Sequence, residues 1–362
     1  MNVETPALLL NVAQLERNIE NIIRFSEENG VQYRPHIKTH KSIEIAKLQM
    51  KYGAIGITVA KVGEAEVMAE GGIDNILIAY PIANEAKIDR IKQLRTKAHI
   101  IVAVDSVEQA KMLATRFTEE NPLHVWIKVN SGLNRVGVEP NEEVVTLAKS
   151  IKETGSLYLD GIFTHAGQAY GAATTEELEE IGRKEAETVL ESVRLCEEVG
   201  ITIRHRSIGS TPTYRIAGAV DGITEIRPGN AVFFDMVQVG LGVATKEECA
   251  LTVKTSVVSV KEDRVVLDAG SKTLALDRGA HGNDSIQGHG YIKEHPSLVI
   301  ERLSEEHGVV PLHKEMDISL NDVWTVIPNH TCVVANLFDT YTLHRDGTLI
   351  GTWPVDARGK LT

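Results

Sequence analysis

Cysteine is scarce: Cys196, Cys249 and Cys332 are the only three in 362 residues, and no two are spaced as CxxC. An odd number without that spacing speaks against a disulfide framework. Long apolar runs are missing too. The longest extend over about half a dozen residues, against the roughly 20 needed to cross a bilayer. The opening MNVETPALLL has neither a basic n-region nor a small-residue cleavage site, so it does not read as a secretory signal. Basic charge is in deficit, with 38 Lys+Arg against 50 Asp+Glu and a formal net charge of −12. That balance argues against general nucleic-acid binding. Low-complexity segments are absent. What remains, 43% hydrophobic and 24% charged, is the composition of a soluble globular protein, with the cytoplasm as the expected compartment. The length suits two domains, or one barrel with an appendage.

From about Gln32 to Gly229, short β-branched runs alternate with longer amphipathic stretches. Eight strands are expected, over 33–38, 54–60, 75–80, 99–104, 124–129, 159–165, 203–208 and 223–228. Most are nearly continuous in apolar residues, as parallel strands covered on both faces should be. Each but the last is followed by a helical pattern. The longest such pattern carries Glu179–Arg183 and Glu180–Lys184 at i,i+4 spacing and ends in Gly200. Cys196 falls on its apolar stripe and reads as core. This arithmetic predicts a (β/α)₈ TIM-type barrel. A doubly wound open sheet is the rival, but no GxGxxG follows the first strand.

After Ala231 the period changes to two. Runs at 250–261, 264–270, 323–328 and 339–355 are separated by Gly, Asp and Asn turns, and Asp346–Gly347 is a hairpin signal. The expected organisation is a barrel over 13–235 and a mostly antiparallel β domain over 236–362, with residues 1–12 packing with the latter.

The densest chemistry lies in Arg34-Pro35-His36-Ile37-Lys38-Thr39-His40-Lys41. Lys38 falls at the C-terminal end of the first barrel strand, where barrel enzymes keep their catalytic groups. A partly desolvated lysine among cations loses proton affinity, which a nucleophilic or Schiff-base lysine requires. The alternative is a basic surface turn. His36 and His40 have metal-ligand spacing only on a helix, and Pro35 argues against one. A Schiff-base lysine points to a carbonyl cofactor bearing a phosphate. Ser207-Ile208-Gly209-Ser210-Thr211-Pro212-Thr213 follows the seventh strand and opens a helix, with Thr211 and Pro212 at cap and first-turn positions. Exposed N–H groups there, with Gly209 allowing close approach, suit a phosphate, and Arg227-Pro228-Gly229-Asn230 after strand eight completes it.

His330-x-Cys332 follows Pro328. On an extended segment both side chains point the same way, and imidazole with thiolate suits zinc. A buried thiol beside a hydrogen-bonded imidazole is the other reading. His281 and His289 flank a Gly-rich loop that reads as a lid or as a surface excursion.

TPALLL (5–10), RPHIKTHKS (34–42), the loop at Asn134-Arg135, THAGQAY (164–170), GSTPT (209–213), RPGNAVFFD (227–235), LDAGSK (267–272), SEEHG (304–308) and PNHTC (328–332) together resemble the D-threonine aldolase / D-serine dehydratase family. These are fold-type III pyridoxal-phosphate enzymes related to alanine racemase, and the likeness runs from about residue 4 to about residue 340. It implies that Lys38 bonds pyridoxal 5'-phosphate and that Arg135 approaches the cofactor's phenolic oxygen. It places His165 against the pyridine ring with Tyr170 nearby, and Gly209, Ser210 and Thr211 in the phosphate cradle. It implies a divalent metal on His330 and Cys332, zinc or alternatively manganese, beside the substrate's β-hydroxyl. His307 matches a family motif without a derivable role. Ala231 departs from the family, which often has tyrosine there, so one phosphate or ring contact is lost or supplied elsewhere. The implied protein is a homodimeric lyase acting on small D-3-hydroxy amino acids, with its active site at a domain or subunit boundary. His-x-Cys resembles the dehydratase form and favours D-serine dehydratase-like β-elimination to keto acid and ammonia. The alternatives are a D-threonine aldolase, an amino-acid racemase, for which no second acid/base is assignable, and a non-catalytic cofactor-binding protein.

Overall fold

The computed structural model describes residues 3–278 and 286–362. His281 lies outside them. The chain divides into two compact units. One holds the residues up to Glu20, Thr39–Ser42 and Asn230–Arg358, and the other Asn21–Lys38, Ile43–Gly229 and Gly359–Thr362.

The chain opens with β1 (Ala7–Asn11) and α1 (Val12–Asn29). Eight strands of the second unit follow: β2 (Gln32–Tyr33), β3 (Ile57–Val59), β4 (Asn75–Ile78), β5 (His99–Val104), β6 (Leu123–Lys128), β7 (Leu157–Phe163), β8 (His205–Ile208) and β9 (Glu225–Ile226). All seven pairings along the order β2-β9-β8-β7-β6-β5-β4-β3 are parallel. The ends of that order meet through a parallel bridge, His36 to Thr58. Ile55 N donates to Tyr33 O at 2.9 Å and Thr58 N to Pro35 O at 2.7 Å. The sheet is thereby closed into the expected barrel, and each strand overlaps its expected window, β2 only at Tyr33.

Between the strands run α2 (Ile43–Tyr52), α3 (Val62–Glu70), α4 (Glu85–Leu94), α5 (Val107–Ala114), α6 (Glu142–Glu153), α7 (Thr175–Glu198) and the single turn α8 (Tyr214–Ala217). In α7, Thr174 caps the start by accepting from Glu177 N, and Gly200 ends it at φ +75°. Its buried face, Leu178, Gly182, Ala186, Val189, Val193 and Cys196, recurs every three to four residues as an amphipathic helix requires. Leu77, Ile101, Ala103, Trp126 and Phe163 fill the barrel interior. A Cβ on Gly161 would come within 2.5 Å of the Trp126 indole, so glycine there makes room for the largest core side chain. Truncating such a buried aromatic to alanine costs about 3–5 kcal/mol.

In the other unit, α9 (Met236–Gly240) precedes β10 (Leu251–Val260), β11 (Arg264–Leu267), α10 (Ser271–Leu274), β12 (Tyr291–Ile292), β13 (Arg302–Leu303), β14 (Gly308–Pro311), β15 (Val323–Ile327), α11 (Thr331–Ala335), β16 (Thr340–Arg345) and β17 (Thr348–Pro354). The sheet runs β13-β14-β11-β10-β1-β16-β17, with β15 pairing β10 and β12. It is antiparallel except where β1 meets β16. Asp346 and Gly347, both at positive φ, turn the β16–β17 hairpin as their sequence predicts. No helix among the described residues is long and apolar enough to cross a membrane.

Candidate active site

A cavity of about 390 Å³ opens at the C-terminal ends of the barrel strands. Among the described residues, five cations line it, Lys38, Lys61, Lys128, Arg135 and Arg227, together with His36, His165 and Phe163, and no carboxylate does. Lys38 sits in a single 3₁₀ turn over Ile37–Thr39. The strand proper stops at Tyr33, because Pro35 has no N–H to give the ladder. The Lys38 N–H points to His36 Nδ1 at 3.4 Å. Burial, then the nearby lysine, holds both His36 and His165 well below the ordinary histidine range, so both rings are neutral at pH 7. His165 Nδ1 is 3.0 Å from the Gly209 carbonyl, which fixes that nitrogen as the donor.

The loop after β8 differs from its expected form. The helix begins at Tyr214, not Thr211, and lasts one turn, with Thr213 at its N-cap position. A buried carboxylate competes for the groups that would cap it. Glu185 of α7, fully buried, accepts from Gly209 N at 3.0 Å, Ala166 N at 3.2 Å and Thr213 Oγ1 at 2.5 Å. The Gly209 N–H is therefore engaged by Glu185. Ser210 and Thr211 are buried in the same loop, with Ser210 Oγ 2.8 Å from Thr213 Oγ1. Glu185 thus ties the His165 segment to the Gly209 loop. Its sequence signal was an acid inside an apolar helical stripe.

Arg227 is held from both ends. Nη1 donates to Ser207 Oγ at 2.5 Å, and that hydroxyl donates to Glu225 Oε1 at 2.6 Å. Its other nitrogen donates to the Thr164 carbonyl, and the guanidinium lies 4.9 Å from the Phe163 ring centroid. Arg34 holds the other oxygen of Glu225 at 2.9 Å. Gly229 and Tyr170 do not line the cavity. Tyr170 lies in a 3₁₀ segment, Gly167–Gly171, just beyond His165.

His330 and Cys332 are placed by the other unit. They do not lie on a continuous strand: His330 is the extended residue before α11 and Cys332 is in its first turn. Asp235, fully buried, overrides the extended pattern by accepting from Thr331 N at 3.0 Å and Thr331 Oγ1 at 3.2 Å. It also accepts from Asn230 Nδ2 at 2.6 Å and Gln238 N at 3.1 Å. The Asn230 amide therefore braces this segment, bonding Thr331 Oγ1 at 2.8 Å as well. Burial raises the Asp235 pKa, and the neighbouring His330 and these donors pull it back. Cys332 Sγ lies 3.1 Å from Thr39 Oγ1, and His330 Nδ1 lies 3.8 Å from Asp277 Oδ2. Among the described residues, no group of three His, Cys, Asp or Glu side chains forms a metal site. Ala231 is fully buried in a 3₁₀ turn, Asn230–Val232. Of the remaining sequence candidates, His289 is buried and His307 exposed.

An alanine racemase N-terminal domain matches residues 10–237, and a serine dehydratase domain matches 250–344. The D-threo-3-hydroxyaspartate dehydratase of Delftia sp. strain HT23 is 31% identical over 98% of this chain and 97% of its own. The 3-hydroxy-D-aspartate aldolase of Paracoccus denitrificans strain Pd 1222 is 32% identical over 99% and 93%. The chain belongs to the D-threonine aldolase / D-serine dehydratase family. It is a pyridoxal-phosphate-dependent lyase of that family. The solved Delftia dehydratase superposes with a TM-score of 0.92 at 30% identity, covering 98% of this chain and 97% of that one. Two D-threo-3-hydroxyaspartate dehydratase variants have been solved with a histidine or a cysteine, two positions apart, replaced by alanine, the cysteine variant in a metal-free form. The D-threonine aldolase of Filomicrobium marinum superposes with a TM-score of 0.90 at 28% identity, covering 99% and 96%.

The lyase's cavity fits its cofactor electrostatically. Lys128, at the end of β6, donates to the Ala79 carbonyl at 3.2 Å and is 6% exposed. Burial and then Arg135, Arg227 and Lys38 push its pKa down to about 7. A cluster of cations, of which Lys128 and Arg227 are buried, with no acid among the described lining residues, suits an anion such as a phosphate ester or a phenolate. Sequence reasoning missed Lys128, whose only signal was a charge closing an apolar strand.

Lys128 also predicts a pH effect. Its folded pKa lies below the ordinary 10.5, so between about pH 7 and that value the unfolded chain binds more protons. The stability of the cofactor-free lyase therefore gains from this residue as pH rises through that window. Urea denaturation should show Lys128→Met more stable than wild type at pH 6, the gap shrinking by pH 9. A gap independent of pH would contradict the placement.

Proposed function

We propose that the chain dehydrates D-3-hydroxy amino acids, in the manner of a D-serine dehydratase, to a keto acid and ammonia. The observation that carries this reading is Lys38 in an all-cationic cavity at the catalytic face of the barrel. Pyridoxal phosphate, when bound, supplies an electron sink for negative charge at the substrate's Cα. Lys38 Nζ would hold its aldehyde carbon. Arg135, Lys128 and Arg227 would face its anionic oxygens, with the Gly209–Thr211 loop around the phosphate and His165 beside the ring. Lys38 Nζ would also be the group placed to accept the substrate's Cα proton as general base.

His330 and Cys332 would hold a divalent ion, zinc by the chemistry of the pair, with manganese as the alternative. Such an ion, when bound, supplies a Lewis acid for the β-hydroxyl. Asp235 pins Thr331 between the two ligands, and Asp277 lies beside the imidazole. The dehydratase variants, also at a histidine and a cysteine two positions apart, support this donor set. Loss of the Cα proton and the β-hydroxyl as water leaves an unsaturated amine, which water hydrolyses to keto acid and ammonia.

The aldolase reading has its own support in the Paracoccus relative. There the Cα–Cβ bond breaks instead, giving glycine and an aldehyde. Product analysis on D-serine and D-threonine, with and without added zinc or manganese, separates the two. Keto acid and ammonia support dehydration; glycine and acetaldehyde from D-threonine, without ammonia, overturn it. We also propose a cytoplasmic homodimer, in keeping with three free cysteines and with the family resemblance. Light scattering showing a fully active monomer would contradict the dimer.

A further inference from the structure

The side chains behind the Gly209 loop form a hydrogen-bonded chain with two possible polarities, and only one of them suits a phosphate. Glu185 Oε1 accepts two backbone N–H groups, from Gly209 at 3.0 Å and Ala166 at 3.2 Å. Both lone pairs of that oxygen are thereby used, so a proton on the carboxyl belongs on Oε2. Oε2 lies 2.5 Å from Thr213 Oγ1, and that oxygen lies 2.8 Å from Ser210 Oγ. Glu185, Thr213 and Ser210 are at most 2% exposed, so bulk water offers them no substitute partner.

Each hydroxyl has one proton to give. With Glu185 ionised, Thr213 spends its proton on Oε2, and the Ser210–Thr213 bond must then use the Ser210 proton. Ser210 is left with lone pairs only, which repel the oxygens of a phosphate. With Glu185 protonated the chain reverses. Oε2–H donates to Thr213, Thr213 donates to Ser210, and the Ser210 proton is free for a phosphate oxygen. Burial pushes the Glu185 pKa up, against the pull of Thr213, Gly209, Ala166 and Arg227. The charged surroundings oppose this little: His165, beside Ala166, is neutral, and Arg227 shares its charge between Glu225, foremost, and Glu185. We propose that Glu185 is a positioning residue, protonated when the cofactor is bound, that aims the Ser210 hydroxyl at the phosphate through Thr213. This rests on the placement of the phosphate in the Gly209–Thr211 loop and adds to it a residue and a protonation state.

Infrared difference spectroscopy of the holoenzyme against its Glu185→Gln variant, at neutral pH, reads the protonation state. The wild type should contribute the carbonyl stretch of a protonated carboxylic acid. Subtraction removes Asp235, another buried acid whose pKa is raised. Carboxylate bands in its place overturn the role of Glu185. Binding gives the second readout, as the ratio of affinities for pyridoxal 5'-phosphate and for pyridoxal, which lacks the phosphate. A hydrogen bond to a charged group is worth roughly 10- to 100-fold, so Ser210→Ala should lower that ratio by about this factor. Glutamine reproduces the protonated acid, with its oxygen accepting from Gly209 and Ala166 and its Nε2–H donating to Thr213. Glu185→Gln should therefore keep the wild-type ratio. A Glu185→Gln variant that loses the ratio as Ser210→Ala does overturns the proposal, because a carboxylate would then be what the loop requires. An unchanged ratio in Ser210→Ala overturns it together with the placement of the phosphate. Neither readout depends on which substrate bond breaks, so the dehydratase reading stands or falls separately.

Discussion

Lys38→Ala should yield a colourless protein with turnover reduced by at least about 10²–10⁴-fold, the range one positioned acid–base group supplies. The loss should exceed that of any other cavity variant, because the same nitrogen holds the cofactor's aldehyde carbon and accepts the Cα proton. Borohydride treatment of the wild type should fix the cofactor to the peptide containing Lys38. Lys41 is the natural competitor, three residues on in the same basic run. Its side chain is 6% exposed and does not line the cavity, and its carbonyl accepts from Ala357 N at 2.9 Å. Label on Lys41, or a coloured and active Lys38→Ala, would contradict the assignment.

Cys332→Ala should lose the bound divalent ion and, with it, about 10²–10³-fold in turnover, as removal of a Lewis acid worth several kcal/mol requires. Metal analysis of the purified protein reads the first loss and an ammonia assay the second. Cys196→Ala is the control: that thiol is fully buried on α7 in the barrel unit, and its replacement should leave metal content as it was. Unchanged metal and turnover in Cys332→Ala would move the ion elsewhere.

The barrel could be read from the sequence because its strands are short, β-branched runs whose parallel pairing needs little beyond burial. HIIVAV coincides with β5 over its whole length. Termini were harder where a distant side chain decided them. Thr211 and Pro212 carry good cap chemistry, yet Glu185, more than twenty residues upstream, takes the Gly209 N–H and the Thr213 hydroxyl, and the helix starts later. His330-x-Cys332 was read as strand from its position after Pro328, but Asp235 caps the segment into a helical turn. β12 to β14 are two to four residues long and leave no periodic signal. Lys38, Arg135, His165 and Gly209 line one cavity, while Gly229 and Tyr170 do not. Lys128 and Lys61 stayed hidden because each is a lone charge beside an apolar or small-residue stretch, and Glu185 because it sits in the charged run Arg183-Lys184-Glu185-Ala186-Glu187, where a solvated side chain is the ordinary reading.

The most direct test of the account is which bond of the substrate breaks, followed in a single turnover of 3-hydroxy-D-aspartate deuterated at Cα. Proton removal by Lys38 Nζ predicts a primary isotope effect, with the label passing to solvent as keto acid and ammonia appear. Release of glycine that retains the deuterium, without an isotope effect, would contradict dehydration and establish carbon–carbon cleavage in its place.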